Sequence, residues 1–169
     1  NVTGKGHIAG VAVAVEGWSG YFPIGHESNG NMDKKLVFSW LQDMFNQPDT
    51  TFIFHNAMYD VCFIRAAGLK INGMIVDTMI AGSLVDENRF RYDLGSMGRD
   101  YLGIGKNEAV LKETADHWGI DHKAEMYKLP AHYVGEYAEI DAVNTLEIFE
   151  KQKKILVDED LGGIFALET

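Results

Sequence analysis

The chain has 169 residues, enough for one domain with a substantial core, and its 46% hydrophobic and 24% charged residues are typical of a soluble globular protein. The net charge of −10 argues against tight binding of nucleic acid by a basic surface. No run of about 18 apolar residues exists, which excludes a membrane-spanning helix, and the single cysteine, Cys62, excludes an internal disulfide bond.

The first third of the sequence predicts strands around one helix. Residues 8–15 are small and β-branched, and together with residues 21–24 they predict a β-hairpin. Asp33 is placed to cap a helix whose apolar residues recur at helical spacing between positions 36 and 45. Thr51–Phe54 is a short predicted strand.

The remaining sequence predicts mainly helices. They cover residues 56–67, 75–85, 94–102, 108–118 and 130–157. Gly68 suits the end of the first of these helices, Asp93 can cap the third, and Gly162 with Gly163 is predicted to break the last. Because strands come first and alternate with helices later, the order predicts an α/β sheet with helical cover.

Two pairs of polar residues repeat one pattern. Asn56 and Asp60, directly after a predicted strand, and Tyr137 and Asp141, in the long helix, are each four residues apart and share a helix face. Taken singly, Asn56 with Asp60 also fits a helix N-cap with a solvated aspartate, and Tyr137 with Asp141 also fits an ordinary amphipathic helix with a surface aspartate. Taken together, the two carboxylates are placed to converge, and hard cations such as Mg²⁺ prefer oxygen ligands of this kind. Asp77 is a further carboxylate near this region, and its position favours a helix N-cap.

Longer stretches resemble the proofreading 3′-5′ exonuclease domain of A-family DNA polymerases, the bacterial polymerase I type that phages also encode. The resemblance covers residues 8–157, with the second and third motifs at positions 55–60 and 137–141. The other matching segments are residues 10–16, 21–26, 63–69, 77–81, 91–96, 101–103 and, as the first helix of a polymerase domain, 164–169. The tyrosine at position 137 is typical of the DEDDy branch of these nucleases.

The resemblance implies an RNase H-like mixed sheet flanked by helices, whose first strand lies outside this chain. It implies two divalent metal ions, Mg²⁺ or Mn²⁺, with Asp60 and Asp141 as metal ligands and with Tyr137 as the third catalytic residue. The residues expected to hold the substrate are Asn56, Tyr59, His55 and Arg91.

The implied partners are the 3′ end of single-stranded DNA and a polymerase domain in the same polypeptide, in a monomeric protein of the bacterial cytoplasm. The implied domain boundaries are residues 1–157 for the exonuclease and 158–169 for the start of the polymerase domain.

The sequence departs from the family pattern in its first motif. The pattern Asp-x-Glu, which carries the other two carboxylates of the family, occurs nowhere in the chain. We therefore expect the chain, taken alone, to bind metal poorly and to cleave slowly or not at all. Two alternatives stay open: a standalone DEDDy exoribonuclease of the RNase D type, and a non-catalytic domain that keeps the exonuclease fold.

Overall fold

The computed structural model describes residues 6–104, 109–121 and 124–168. It is a mixed α/β structure in which helices predominate over two small sheets, as predicted for an RNase H-like domain. The elements are β1 (Gly10–Val15), β2 (Trp18–Pro23), α1 (Lys34–Phe45), β3 (Thr51–Phe54), α2 (Ala57–Ala66), β4 (Met74–Asp77), α3 (Thr78–Val85), α4 (Leu94–Leu102), α5 (Ala109–Trp118), a short 3-10 helix (Met126–Lys128), α6 (Ala131–Asp158) and α7 (Gly162–Glu168).

The described residues divide into two compact units. The first, called here the hairpin unit, draws on residues 1–43 and 107–143 and contains the antiparallel pair β1–β2. The second, the parallel-strand unit, draws on residues 44–106 and 144–169 and contains β3 and β4, which run parallel. Helix α6 contributes residues to both units, since the division falls after Val143.

In the hairpin unit, the core is an apolar cluster under the hairpin and the first turns of α6. It consists of Leu111, Ala115, Leu129 and Val134, with Tyr21 and Tyr137 packed against it. Gly135 allows α6 to approach the ring of Tyr21, because a Cβ atom at position 135 would lie only 3.0 Å from that ring. Burial raises the pKa of the Tyr21 phenol to about 12, and its hydroxyl lies 2.7 Å from His26 Nε2.

In the parallel-strand unit, the core lies between β4, α3, the second half of α6 and α7. Its buried members are Val76, Ala81, Phe149, Leu156 and Phe165. Strand β4 is buried at its end while β3 is half-buried, and residues Thr51 to Phe54 pair in register with Met74 to Asp77. Both strands therefore end at the same edge, with Phe54 opposite Asp77.

Most predicted helix boundaries are confirmed. Asp33 Oδ1 accepts hydrogen bonds from the N–H groups of Lys35 and Leu36 at the start of α1. Asp93 caps α4 through the N–H of Ser96, and Gly68, with φ of 84°, follows the end of α2. Helix α5 covers Ala109–Trp118, and Glu108, the predicted first residue, lies outside the described residues.

Two predictions are wrong. Residues 75–77 belong to strand β4, not to a helix, because they pair with β3 more than 20 residues earlier in the chain. The break after α6 falls at Asp160, whose φ of 55° is left-handed, whereas Gly162 and Gly163 begin α7. Among the described residues, no helix combines the length and apolar character needed to cross a membrane.

Candidate active site

The turn between β3 and α2 places Asp60. After Phe54 the chain passes through His55 and Asn56 into α2, and Asp60 lies in the first turn of that helix. Asn56 adopts a left-handed conformation with φ of 64° and ψ of 55°, which asparagine tolerates better than most other L residues. Its side chain makes no capping hydrogen bond, so Asn56 contributes the shape of the turn.

Asp77 holds this turn from the end of β4. Its Oδ1 accepts the N–H groups of Asn56 at 3.0 Å and Met79 at 2.8 Å, and its Oδ2 accepts the N–H of Ala57 at 2.8 Å. Asp77 is only 5% exposed. One buried carboxylate thus caps α3, as predicted, and also satisfies the N-terminal donors of α2, the helix that carries Asp60.

His55 is held by a second set of hydrogen bonds. The Thr78 hydroxyl donates to the carbonyl oxygen of Phe54 at 3.1 Å, so its oxygen accepts from His55 Nδ1 at 2.9 Å. The Nε2 group of Gln152, which is fully buried, donates to the carbonyl oxygen of Thr78 at 2.9 Å. The imidazole is therefore fixed against the start of α3.

The pKa of His55 lies below its ordinary value. Burial is the dominant cause, because removing the imidazole from water penalises its charged form. The charges of Asp77 and Asp93 and a hydrogen bond with the backbone of Tyr92 act in the opposite direction without overcoming it.

The carboxylate of Asp60 carries an uncompensated charge. Among the residues that the structure describes, none donates a hydrogen bond to it or forms an ion pair with it. The residue as a whole is exposed, but its carboxyl group is partly shielded from water; this shielding, with the nearby charge of Asp77, raises its pKa to about 6. A bound cation would relieve both effects, so this carboxylate is suited to serve as one ligand of a metal ion.

Tyr137 and Asp141 lie one turn apart on α6, within the hairpin unit, and both are half-buried. The Tyr137 ring packs on the apolar cluster of that unit, which fixes where its phenol group can point. On the intervening turn, Glu139 accepts a hydrogen bond of 2.8 Å from the hydroxyl of Ser19 on β2. Tyr137 and Asp141 lie four residues apart on α6 and so share one face of that helix.

The two remaining predicted substrate residues are on the surface of the parallel-strand unit. Tyr59 is 61% exposed, and its ring lies 5.1 Å from that of Phe63. Arg91 is exposed, and its guanidinium group makes no hydrogen bond or ion pair with any described residue. Both groups are thus accessible to a ligand.

The parallel-strand unit gathers Asp60, Asp77 and His55, and the hairpin unit carries Tyr137 with Asp141. In the part of the chain that the structure describes, no group of three or more His, Cys, Asp or Glu residues is arranged to hold a metal ion. Sequence reasoning missed the supporting roles of Thr78 and Gln152. Only Thr78 carries a local signal, as the residue after a capping aspartate; Gln152 lies 74 positions from its partner.

Comparison of the sequence with known proteins identifies its family. The family model described as 3′-5′ exonuclease matches residues 6–157. A DNA-directed DNA polymerase of Pseudomonas phage M6 is 32% identical over 96% of this chain and 25% of its own length. The DNA polymerase DpoZ of Acinetobacter phage SH-Ab 15497 is 27% identical over 90% of the chain and 25% of its own length. DNA polymerase I of Chloroflexus aurantiacus is 26% identical over 82% of the chain and 14% of its own length.

The chain therefore belongs to the 3′-5′ exonuclease domain family of the A-family DNA polymerases. It spans about a quarter of the length of the phage polymerases that it matches.

Proposed function

We propose that this chain is the proofreading exonuclease module of a DNA polymerase and hydrolyses the 3′-terminal phosphodiester bond of single-stranded DNA. The observation that carries the proposal is the carboxylate of Asp60. It is partly shielded from water, accepts no hydrogen bond from a described residue and lies within the field of Asp77, in the helix that follows the end of β3. This is an electrostatically unfavourable arrangement that a divalent cation would stabilise.

The proposed cofactors are two divalent ions, Mg²⁺ or Mn²⁺, with Asp60 and Asp141 among their ligands. When bound, such ions supply Lewis-acid chemistry at the scissile phosphate, activating water and stabilising the leaving 3′ oxygen. Tyr137 orients the attacking water through its phenol group, whose position the apolar cluster of the hairpin unit fixes. Asp77 keeps Asp60 in place through its bonds to the start of α2.

The proposed substrate contacts lie on the parallel-strand unit. Tyr59 offers an exposed ring on which any base can stack, which suits an enzyme that removes nucleotides regardless of identity. Arg91 offers an unpaired guanidinium group for a phosphate. Asn56 and His55 contribute by shaping and holding the turn that leads to Asp60.

The proposed setting is a longer polypeptide. Residues 1–157 form the exonuclease domain, and residues 158–169, which include α7, begin a polymerase domain like that of the full-length relatives. We expect a monomer in the bacterial cytoplasm.

Activity of this chain alone is expected to be low. The sequence contains no Asp-x-Glu, so only Asp60 and Asp141 are available from the four carboxylates that the family uses. Two alternatives make different predictions: an exoribonuclease of the RNase D type would shorten RNA in preference to DNA, and a non-catalytic domain would neither bind Mn²⁺ nor cleave.

The test is to incubate the chain with Mn²⁺ and a 5′-labelled single-stranded DNA or RNA of the same sequence. We expect slow, stepwise shortening of DNA from its 3′ end, abolished in Asp60→Ala and in Asp141→Ala. Asp49→Ala, which removes an exposed aspartate from a loop, is the matched control and should behave as the unmodified chain.

Binding of Mn²⁺, followed by electron paramagnetic resonance, gives a second readout that does not depend on turnover. Asp60→Ala should weaken it and Asp49→Ala should not. Shortening that persists in Asp141→Ala, or the absence of both Mn²⁺ binding and shortening in the unmodified chain, would overturn the proposal.

A further inference from the structure

The loop between α3 and α4 displays an aromatic ring to solvent. Phe90 has a relative exposure of 104%, the highest of the large apolar side chains among the described residues. A phenylalanine at this exposure makes no contribution to the core, and single exposed apolar residues are common on protein surfaces. The residues around Phe90, rather than its exposure alone, indicate that its ring contacts a ligand.

The loop that carries Phe90 is well ordered by its own hydrogen bonds. Asp86 begins it with a turn in which its Oδ1 accepts the N–H of Asn88 at 3.1 Å. The Tyr92 hydroxyl donates across the loop to the carbonyl oxygen of Asp86 at 2.9 Å. The loop is thus closed at both ends, and Phe90 is held outward at its tip.

The two arginines beside Phe90 have different environments. Arg89 forms a 2.6 Å ion pair with Asp100, lies 5.6 Å above the ring of Tyr101 and is only 12% exposed, so it anchors the loop. Arg91 is exposed and unpaired among the described residues. An accessible ring therefore sits next to an accessible guanidinium group.

The loop approaches the turn that carries Asp60. The His55 imidazole, whose pKa is lowered mainly by burial, is close enough to the backbone of Tyr92 and to Asp93 for both to affect that pKa, and His55 precedes Asn56 and the first turn of α2. On that turn Met58 and Tyr59 are 76% and 61% exposed. The parallel-strand unit thus presents flat and apolar side chains to solvent from two separate segments, the loop that carries Phe90 and the first turn of α2.

The charged side chains around the loop differ in how far they are already engaged within the protein. Asp86 and Asp93 are engaged as backbone acceptors, and Arg89 is neutralised by Asp100. Among the charged side chains of the loop, Glu87 and Arg91 are left to solvent. One free cation next to one free ring suits a single strand, in which a base and its phosphate are neighbours.

We propose that Phe90 is a stacking platform for an unpaired base of single-stranded DNA, with Arg91 contacting the adjoining phosphate. The proposal rests on the exonuclease function proposed above and adds a second stacking position to Tyr59. Stacking on a phenylalanine ring is independent of base identity, so this contact would hold the frayed strand without selecting its sequence.

The experiment measures binding of a fluorescein-labelled single-stranded DNA 12-mer by fluorescence anisotropy, in EDTA and at low salt. The protein concentration is raised to about 1 mM, above the dissociation constant of ~10⁻⁴ M expected for non-specific binding. A second oligonucleotide carries 2-aminopurine, whose fluorescence falls when it stacks. We expect Phe90→Ala to weaken binding about ten-fold and to abolish the fluorescence loss, while Phe90→Trp retains both.

Leu167→Ala, which truncates an 86% exposed side chain on α7, is the matched control and should bind as the unmodified chain. Because Phe90 makes no core contact, thermal unfolding of Phe90→Ala should be unchanged. Equal binding by the unmodified chain and Phe90→Ala would reject the platform and leave the exonuclease proposal intact. Failure of the unmodified chain to bind the 12-mer at any concentration would overturn both.

Discussion

At the residue scale, the candidate site depends on a carboxylate that is not itself a proposed ligand. Asp77 accepts three backbone N–H groups from two helix starts and is nearly inaccessible to solvent. The same charge raises the pKa of Asp60. Asp77 therefore fixes where Asp60 stands and increases the negative potential that would attract a cation.

We predict that Asp77→Ala lowers the free energy of unfolding by about 3 kcal/mol, because it leaves three backbone donors without an acceptor at a buried position. Asp33→Ala is the comparison: that exposed aspartate caps α1 through two N–H groups, and its loss should cost about 1 kcal/mol. Urea denaturation of the three proteins measures both values. Equal losses for the two variants would show that Asp77 acts as an ordinary helix cap.

At the element scale, local signals predicted the structure where local interactions decide it. Asp93 caps α4 as predicted, because a cap acts within one turn, and the left-handed Gly103 that ends the helix is an equally local signal. Strand β4 was missed because it has only four residues, runs directly into α3 and has no periodicity of its own. What makes it a strand is its pairing with β3, which is distant in the sequence. The start of α7 at two glycines likewise reflects packing of Phe165 against Phe149, not helix propensity.

Two helical glycines in the parallel-strand unit provide a test of helix packing. A Cβ atom at Gly82 of α3 would lie 2.7 Å from the Met97 side chain and 3.3 Å from that of Gln152, and both of these side chains are fully buried. A Cβ atom at Gly98 of α4 would meet nothing closer than 3.7 Å. A methyl group at position 82 would therefore force the neighbouring side chains to shift, whereas a methyl group at position 98 would not.

We predict that Gly98→Ala raises the free energy of unfolding by about 0.5–1 kcal/mol, through the better helix propensity of alanine. Gly82→Ala should lower it by about 1 kcal/mol, since overpacking outweighs the same gain in propensity. Thermal and urea unfolding measure the two changes. A stabilisation of Gly82→Ala equal to that of Gly98→Ala would show that Met97 and Gln152 shift without cost.

At the scale of the whole molecule, the predicted site residues are distributed over the two units: Asp60 belongs to one, and Tyr137 with Asp141 to the other. The spacing of four residues correctly predicted that Tyr137 and Asp141 share one helix, α6, whereas Asn56 lies in the turn before α2 and not on the helix that carries Asp60. The sequence alone did not predict that Asp77 bonds to Asn56 and Ala57, because these bonds follow from the pairing of β3 with β4. It also did not predict the bond from Gln152 to Thr78, which reaches across from another helix. Interactions set by tertiary pairing leave no local pattern in the sequence.

The net charge of −10 determines how single-stranded DNA can be bound. A protein that neutralises many phosphates loses affinity steeply as the salt concentration rises. On a single strand, each contacted phosphate contributes about −0.7 to the slope of the logarithm of the binding constant against the logarithm of the salt concentration. Arg91 is the exposed arginine next to Phe90 in the chain, and the acidic balance of the chain leaves affinity to come mainly from stacking on Tyr59 and Phe90. Stacking depends only weakly on salt.

We therefore predict a shallow slope, between 0 and about −2, for the logarithm of the DNA-binding constant against the logarithm of salt concentration. Arg91→Ala should reduce the magnitude of that slope by about 0.7, whereas Lys35→Ala, which removes one exposed positive charge from α1, should leave it unchanged. Anisotropy titrations over a ten-fold range of salt measure all three slopes. A steep slope that both variants reduce equally would mean that dispersed surface charge, and not a stacking site with one phosphate contact, holds the strand.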